Sequence, residues 1–181
     1  MTDTVRRLVT GETGRGTEAE WTQVQVLEPE VYGEVRSYQV WGWDEVPTLP
    51  SFDKVPYELR SYFPAAGGMR LQAMIFPPGF RAGGADPSVG YETAIAARRK
   101  LTEAVPHGRI SGDEPGMHRT DTIDLGFVVY GEIVSVLEGG GEQILRPGDV
   151  YIQNGAMHAW RNDSDKPAFI WTVILGTTRD E

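Results

Sequence analysis

The chain has 181 residues, a formal charge of -9 and no cysteine. That length holds one domain with extensions and can bury a core without covalent help. The missing cysteine excludes disulfides, thiolate nucleophiles and thiolate-bound zinc or iron–sulfur sites, and the acidic balance disfavours general binding to nucleic-acid phosphates.

Residues 1–20 are rich in Gly, Thr and Glu and have no period, and residues 1–30 are read as a flexible N-terminal arm. They lack the apolar core of a signal peptide, and no later run reaches bilayer length, so no membrane partner and a cytoplasmic location are expected. Residues 31–44 carry Val31, Tyr32, Val35, Tyr38, Val40, Trp41 and Trp43, a composition suited to a strand. Pro47, Pro50, Pro56 and Pro64 then mark loops. A second strand spans 69–77, with Leu71, Ala73 and Ile75 on one face. Asp86-Pro87 suits a helix start, and Tyr91, Ala94, Ile95, Arg98, Leu101 and Val105 keep a helical spacing up to Pro106. A helical insertion over 82–115 is therefore expected. From Thr120 on, short strands alternate with turns at Gly131, Gly139-Gly140-Gly141, Pro147-Gly148-Asp149, Asn154-Gly155 and Asp163–Pro167. That rhythm predicts an all-β, antiparallel barrel or sandwich over 31–176, followed by a tail, 177–181.

Two histidines stand at strand ends in this region. His118 opens His118-Arg119-Thr120-Asp121-Thr122-Ile123-Asp124, and His158 opens His158-Ala159-Trp160-Arg161-Asn162. Imidazoles on separate strands, with a carboxylate nearby, can converge on a metal ion or act as acid and base. These residues resemble the cupin superfamily. Gly148-Asp149, Gly155, His158 and Asn162 match the order of its second motif, with one residue fewer before the histidine and without the usual turn proline. In its first motif His118 takes the first histidine position, Asp124 the glutamate position and Gly131 the glycine position, while Thr120 stands where a second histidine is usual. The resemblance covers residues 116–176 and, more weakly, 69–80; it does not reach 1–35 or 82–115. It is nearest to small single-domain cupins, some of which occur beside pathways for aromatic or polyketide compounds.

The resemblance implies a jelly-roll (double-stranded β-helix) barrel and a divalent metal, Zn, Fe or Mn, on His118, Asp124 and His158. Barrels of this kind tend to pair through an N-terminal strand, so a homodimer through 31–44 is expected, with Tyr38, Trp41 and Trp43 on an otherwise exposed edge. Two readings stay open at the site: a metal centre, or a metal-free pocket in which the histidines are buried or form an acid–base pair tuned by Asp124. Asp121, at opposite parity in a regular strand, is the spare carboxylate and a candidate proton shuttle. Tyr130 shares parity with Asp124 and is a candidate catalytic or substrate-binding hydroxyl. Trp160, two residues past His158, and Phe127 are candidates for stacking on a flat substrate. Arg119 and Arg161 are expected to point outward. The strands around the histidines are rich in apolar residues and have no lysine, so a largely apolar pocket is expected. The function expected is a metal-dependent small-molecule enzyme of lyase type, decarboxylating or dehydrating an aromatic or polyketide-like substrate. The alternatives are an Fe(II)-dependent dioxygenase and a non-catalytic small-molecule-binding cupin without metal.

Overall fold

The computed structural model describes residues 4–12, 19–32, 34–49, 59–82, 109–111 and 116–180. Every regular element among them is a strand: β1 Val5–Glu12, β2 Ala19–Leu27, β3 Glu30–Tyr32, β4 Val35–Trp43, β5 Met69–Phe76, β6 Arg109–Ile110, β7 His118–Arg119, β8 Thr122–Tyr130, β9 Ile133–Leu137, β10 Glu142–Leu145, β11 Val150–Asn154, β12 His158–Arg161 and β13 Ala168–Gly176. They form a six-stranded sheet in the order β11-β8-β13-β5-β4-β3, a five-stranded sheet β10-β9-β12-β7-β6 and a separate hairpin β1-β2. All pairings are antiparallel. The two larger sheets close on one core, built from Val35, Phe76, Val128, Ile133, Leu145, Ala168 and Ile170. This is an all-β jelly roll.

Strand alternation divides each residue set between the inside and the outside. On β13, Ala168, Ile170, Thr172 and Ile174 are buried, and Phe169, Trp171 and Leu175 lie on the other face. On β8, Thr122, Asp124 and Val128 face inward, while Leu125, Phe127 and Val129 remain exposed. The outer face of β4, β5 and β13 is covered by the β1-β2 hairpin, which places Val5 and Leu27 against Tyr38, Val40, Ala73 and Ile75. Arg7 extends this cover, bonding the Val40 carbonyl at 3.0 Å and lying 5.8 Å from the Trp41 ring.

Three expectations change here. The stretch 1–30 carries a hairpin rather than only a flexible arm: Val5 and Leu27 sit directly opposite each other and are both buried, and burying them offsets the cost of ordering the chain. The stretch 31–44 divides between two strands: β3 forms the edge of the sheet, but β4, with most of these residues, lies between β3 and β5, and its Tyr38 is 2% exposed beneath the hairpin. The tail after 176 is tied back at its described end: Thr177 N–H donates to the Asp121 carbonyl, and Arg179 bonds Asp121 and the Gly155 carbonyl. The expected helix over 86–106 lies outside the described residues.

Candidate functional site

β7 and β12 meet at one register position, His158 opposite His118. Gly116 and Gly155, both with positive φ, set the turns leading into these strands. The two rings lie with centroids 4.6 Å apart at 45°. Each ring is anchored in the same way. Nδ1 of His118 lies 2.9 Å from the Gly116 carbonyl, and Nδ1 of His158 lies 2.9 Å from the Ala156 carbonyl. A carbonyl can only accept, so each Nδ1 carries the hydrogen and each Nε2 keeps its lone pair in the neutral ring. Burial disfavours the charged forms. It lowers the pKa of His118, and it lowers that of His158 to about 4, with repulsion from His118 adding to the effect. The site therefore presents two neutral imidazoles with free Nε2 atoms.

Thr120, Thr122 and Asp124 form a chain of hydrogen bonds through the buried interior. The Thr120 and Thr122 hydroxyls are 2.6 Å apart, and Thr122 donates to Asp124 Oδ1 at 2.6 Å. A threonine has one hydroxyl hydrogen, and that of Thr122 goes to Asp124. Thr120 must then donate to Thr122, leaving its own oxygen as an acceptor. Desolvation raises the Asp124 pKa to about 6, against the opposing effect of the Thr122 bond. The threonine at the usual second-histidine position thus connects to the carboxylate instead of duplicating the imidazole.

The opposite wall is polar as well. Tyr62 bonds Ser37 at 2.9 Å, and burial pushes its pKa up to about 12. Gln72 donates to the Tyr62 carbonyl at 3.3 Å. Tyr151 lies across Gly126, where an added Cβ would fall 2.2 Å from the ring, and its hydroxyl meets Thr172 Oγ1 at 2.8 Å. The expected apolar pocket is therefore only half of the interior; buried Gln72, Thr120, Thr122, Asp124, Gln153 and Thr172 make the other half polar. Sequence reasoning passed over Tyr62 and Gln72. One signal was available for Gln72: it alternates with Leu71 and Ala73, which places it on the second face of a two-sided buried strand.

The predicted residues divide clearly. His118 and His158 come together. Trp160 joins them at one side, edge-on to His158 at 5.8 Å and to Tyr151 at 5.1 Å, and it also packs on the core. Asp121 does not join them: as its parity implies, it turns outward and bonds Arg179 at 2.8 Å. Phe127 lies on the outer face, 46% exposed, because it has the parity opposite to Asp124 and Val128. Tyr130 also leaves the pocket. A bulge between Phe169 and Ile170 shifts the β8–β13 register, and Tyr130 stacks on outward-facing Phe169 at 5.4 Å. Arg161 points outward as expected, held by Glu142 and Asp163. Asn162 is structural: its amide donates to the Phe76, Pro77 and Lys166 carbonyls.

The donor chemistry fits a divalent ion at two positions. A metal-binding histidine normally donates its second N–H to a carbonyl or carboxylate, and both histidines do. The expected third ligand does not complete the set: among the described residues, no three of His, Asp and Glu gather into a group that could hold an ion.

Comparison with known proteins places residues 103–175 in register with the Cupin domain family. A Neurospora crassa protein named cupin-domain-containing oxidoreductase srdB is 48% identical over 65 residues, covering 35% of this chain and 33% of that protein. Oryzines biosynthesis cluster protein J of Aspergillus oryzae is 47% identical over 53 residues, covering 29% of this chain and 30% of that protein. The matched stretch thus spans about a third of the length of these curated relatives. Among solved structures, a cupin domain of an XRE family transcriptional regulator from Enterobacter cloacae aligns with a TM-score of 0.38 at 16% identity, over 61% of this chain and 83% of that one.

Proposed function

On the footing that residues 103–175 are a cupin domain, we propose that the chain is a small-molecule enzyme whose reacting centre is the His118–His158 pair, and that its reaction is of lyase type. The observation that carries this reading is the double anchoring of the imidazoles, which leaves two neutral Nε2 atoms on one wall of a closed barrel. A neutral imidazole can take a proton from the α-carbon of a β-hydroxy ketone. The C–H electron pair becomes the new double bond, and the hydroxyl leaves as water with the proton returned by the imidazolium. For a β-keto acid the bond to the carboxylate breaks, carbon dioxide leaves, the electron pair passes into the ketone as an enol, and a proton returns to carbon. Thr120, left as an acceptor by its bond to Thr122, would orient a substrate hydroxyl. Trp160 offers an aromatic edge beside the pair, which suits the aromatic or polyketide-like substrate class. If a divalent ion is present, His118 and His158 would hold it, and it would polarise a carbonyl oxygen.

A redox reaction at the same pair is the second reading, favoured by relatives named oxidoreductases, the Neurospora crassa protein among them. One assay separates the two. The protein is incubated with a panel of aromatic β-keto acids and β-hydroxy ketones, with and without Fe(II). Mass spectrometry reads loss of carbon dioxide or water, and an electrode reads oxygen uptake. Loss of carbon dioxide or water that disappears in His158→Ala supports the lyase reading. Iron-dependent oxygen uptake supports the redox reading. Turnover that is unchanged in both His118→Ala and His158→Ala removes the pair from the reaction, and binding without turnover would leave a binding module.

A further inference from the structure

Gln39 on β4 stands directly opposite Gln72 on β5. Their row crosses the six-stranded sheet through Thr172, Gly126 and Tyr151. Both glutamines share parity with inward-facing residues: Gln39 with Ser37, which meets Tyr62, and Gln72 with Phe76 in the core. The other end of the row is satisfied, since Tyr151 and Thr172 bond each other. The glutamine end is not. Among the described residues, both amide atoms of Gln39 and the Oε1 of Gln72 are buried with no hydrogen-bond partner, and Gln72 is 1% exposed. Leaving a buried donor or acceptor unpaired is costly, and here three such atoms belong to two residues that face each other on neighbouring strands. Turning the Gln39 amide over exchanges its donor and acceptor but leaves one of each.

We propose that Gln39 and Gln72 form a subsite for an uncharged carboxamide group of the ligand, an amide N–H beside a carbonyl. The Gln39 amide nitrogen donates to the ligand carbonyl, and the glutamine oxygens accept from its N–H. A carboxylate fits poorly, because the buried cation of this region, Arg70, is already committed to Asp44 and to the Ser61, Trp43 and Met69 carbonyls. The subsite rests on the reading of the barrel as a small-molecule site. It adds a specificity element on the sheet that also carries Asp124, across the barrel from β7 and β12.

The test uses the ¹⁵N-labelled chain of 181 residues with benzamide, benzoate and toluene as probes. Benzamide is expected to shift the side-chain amide signals of Gln39 and Gln72 and to bind about tenfold more tightly than toluene, with benzoate no better than toluene. Gln39→Leu and Gln72→Leu should abolish the preference for benzamide while leaving toluene binding unchanged. Gln39→Leu removes only unpartnered polar atoms, whereas Gln72→Leu also gives up the bond to the Tyr62 carbonyl, and the wild-type signals give an independent reading should either variant misfold. Equal binding of benzamide and toluene to the wild type overturns the subsite. So does a preference that survives both substitutions, and so do glutamine signals that ignore benzamide, as they would if the amides served only ordered water. His158→Ala keeps the two proposals apart: turnover retained in that variant, with the benzamide preference intact, defeats the reaction and leaves the subsite standing.

Discussion

Asp124 and His158 give opposing responses to pH. The folded Asp124 has a pKa of about 6 against an ordinary 3.8, so between these values the folded chain holds the extra proton. Stability therefore falls as pH rises through that window, and the penalty stays constant above it. Asp124→Asn keeps an acceptor for Thr122 and removes the charge. It is expected to be more stable than the wild type near neutral pH by roughly 1–3 kcal/mol, with the difference vanishing in acid below both values. His158 works in the other direction: its folded pKa is about 4 against 6.5, so the unfolded chain takes the proton first and stability falls as pH drops through that window. His158→Gln should remove that fall. Denaturant unfolding across the range measures both, and parallel curves for wild type and Asp124→Asn would mean that Asp124 is solvated. Arg70 gives a third expectation at this scale. It is 0% exposed and its guanidinium pairs with Asp44. Asp44→Ala strands a buried cation and should cost about 3–5 kcal/mol in the same measurement, whereas Glu45→Ala, which loses only a surface pair, should cost less than about 1 kcal/mol.

Among the strands, Tyr151 of β11 approaches Gly126 of β8 closely. Gly126→Ala brings a methyl to 2.2 Å from Tyr151 Cζ, so the ring must move. A loss of about 1–3 kcal/mol is expected, while Tyr151→Phe should lose only the Thr172 bond, about 1 kcal/mol. Thermal unfolding of both variants checks this, and a Gly126→Ala protein as stable as the wild type would mean that the ring is not held across the glycine. The strands read from sequence were those with strand-forming composition, clean alternation or turn residues at their ends: β4, β5 and the run from β8 to β13. The hairpin was not legible, because in β1 the apolar Val5, Leu8 and Val9 alternate with Arg6, Arg7 and Thr10 without a consistent face, and a bulge at Val9/Thr10 breaks the period. Tyr130 was misplaced for the same kind of reason, since parity does not survive the β8–β13 bulge. The polar half of the interior was hidden because Arg and Gln are usually surface residues, and only their burial inside the barrel shows otherwise.

Seen as a whole, the molecule covers one part of its outer sheet surface and leaves another bare. The hairpin shields β4 and β5, but Leu125, Phe127 and Val129 of β8, Val150 and Ile152 of β11 and Leu175 of β13 remain exposed on neighbouring strands. In a chain of charge -9, this uncharged face is where two copies would meet with least repulsion. A homodimer, should one form, is expected to use this face in preference to 31–44. Light scattering should give a mass of two chains at micromolar concentration and of one chain for the Phe127→Lys, Ile152→Lys double variant. A wild type that stays a single chain at high concentration would rule this out.

β13 lies at the centre of the six-stranded sheet, between β8 and β5, although it is the last of the strands in chain order. During synthesis β5 and β8 emerge without the strand that joins them. The sheet cannot close until residue 176 has left the ribosome. Closure of this sheet therefore waits for residues 168–176, and a chain stopped at residue 167 would leave the edges of β5 and β8 open to aggregation.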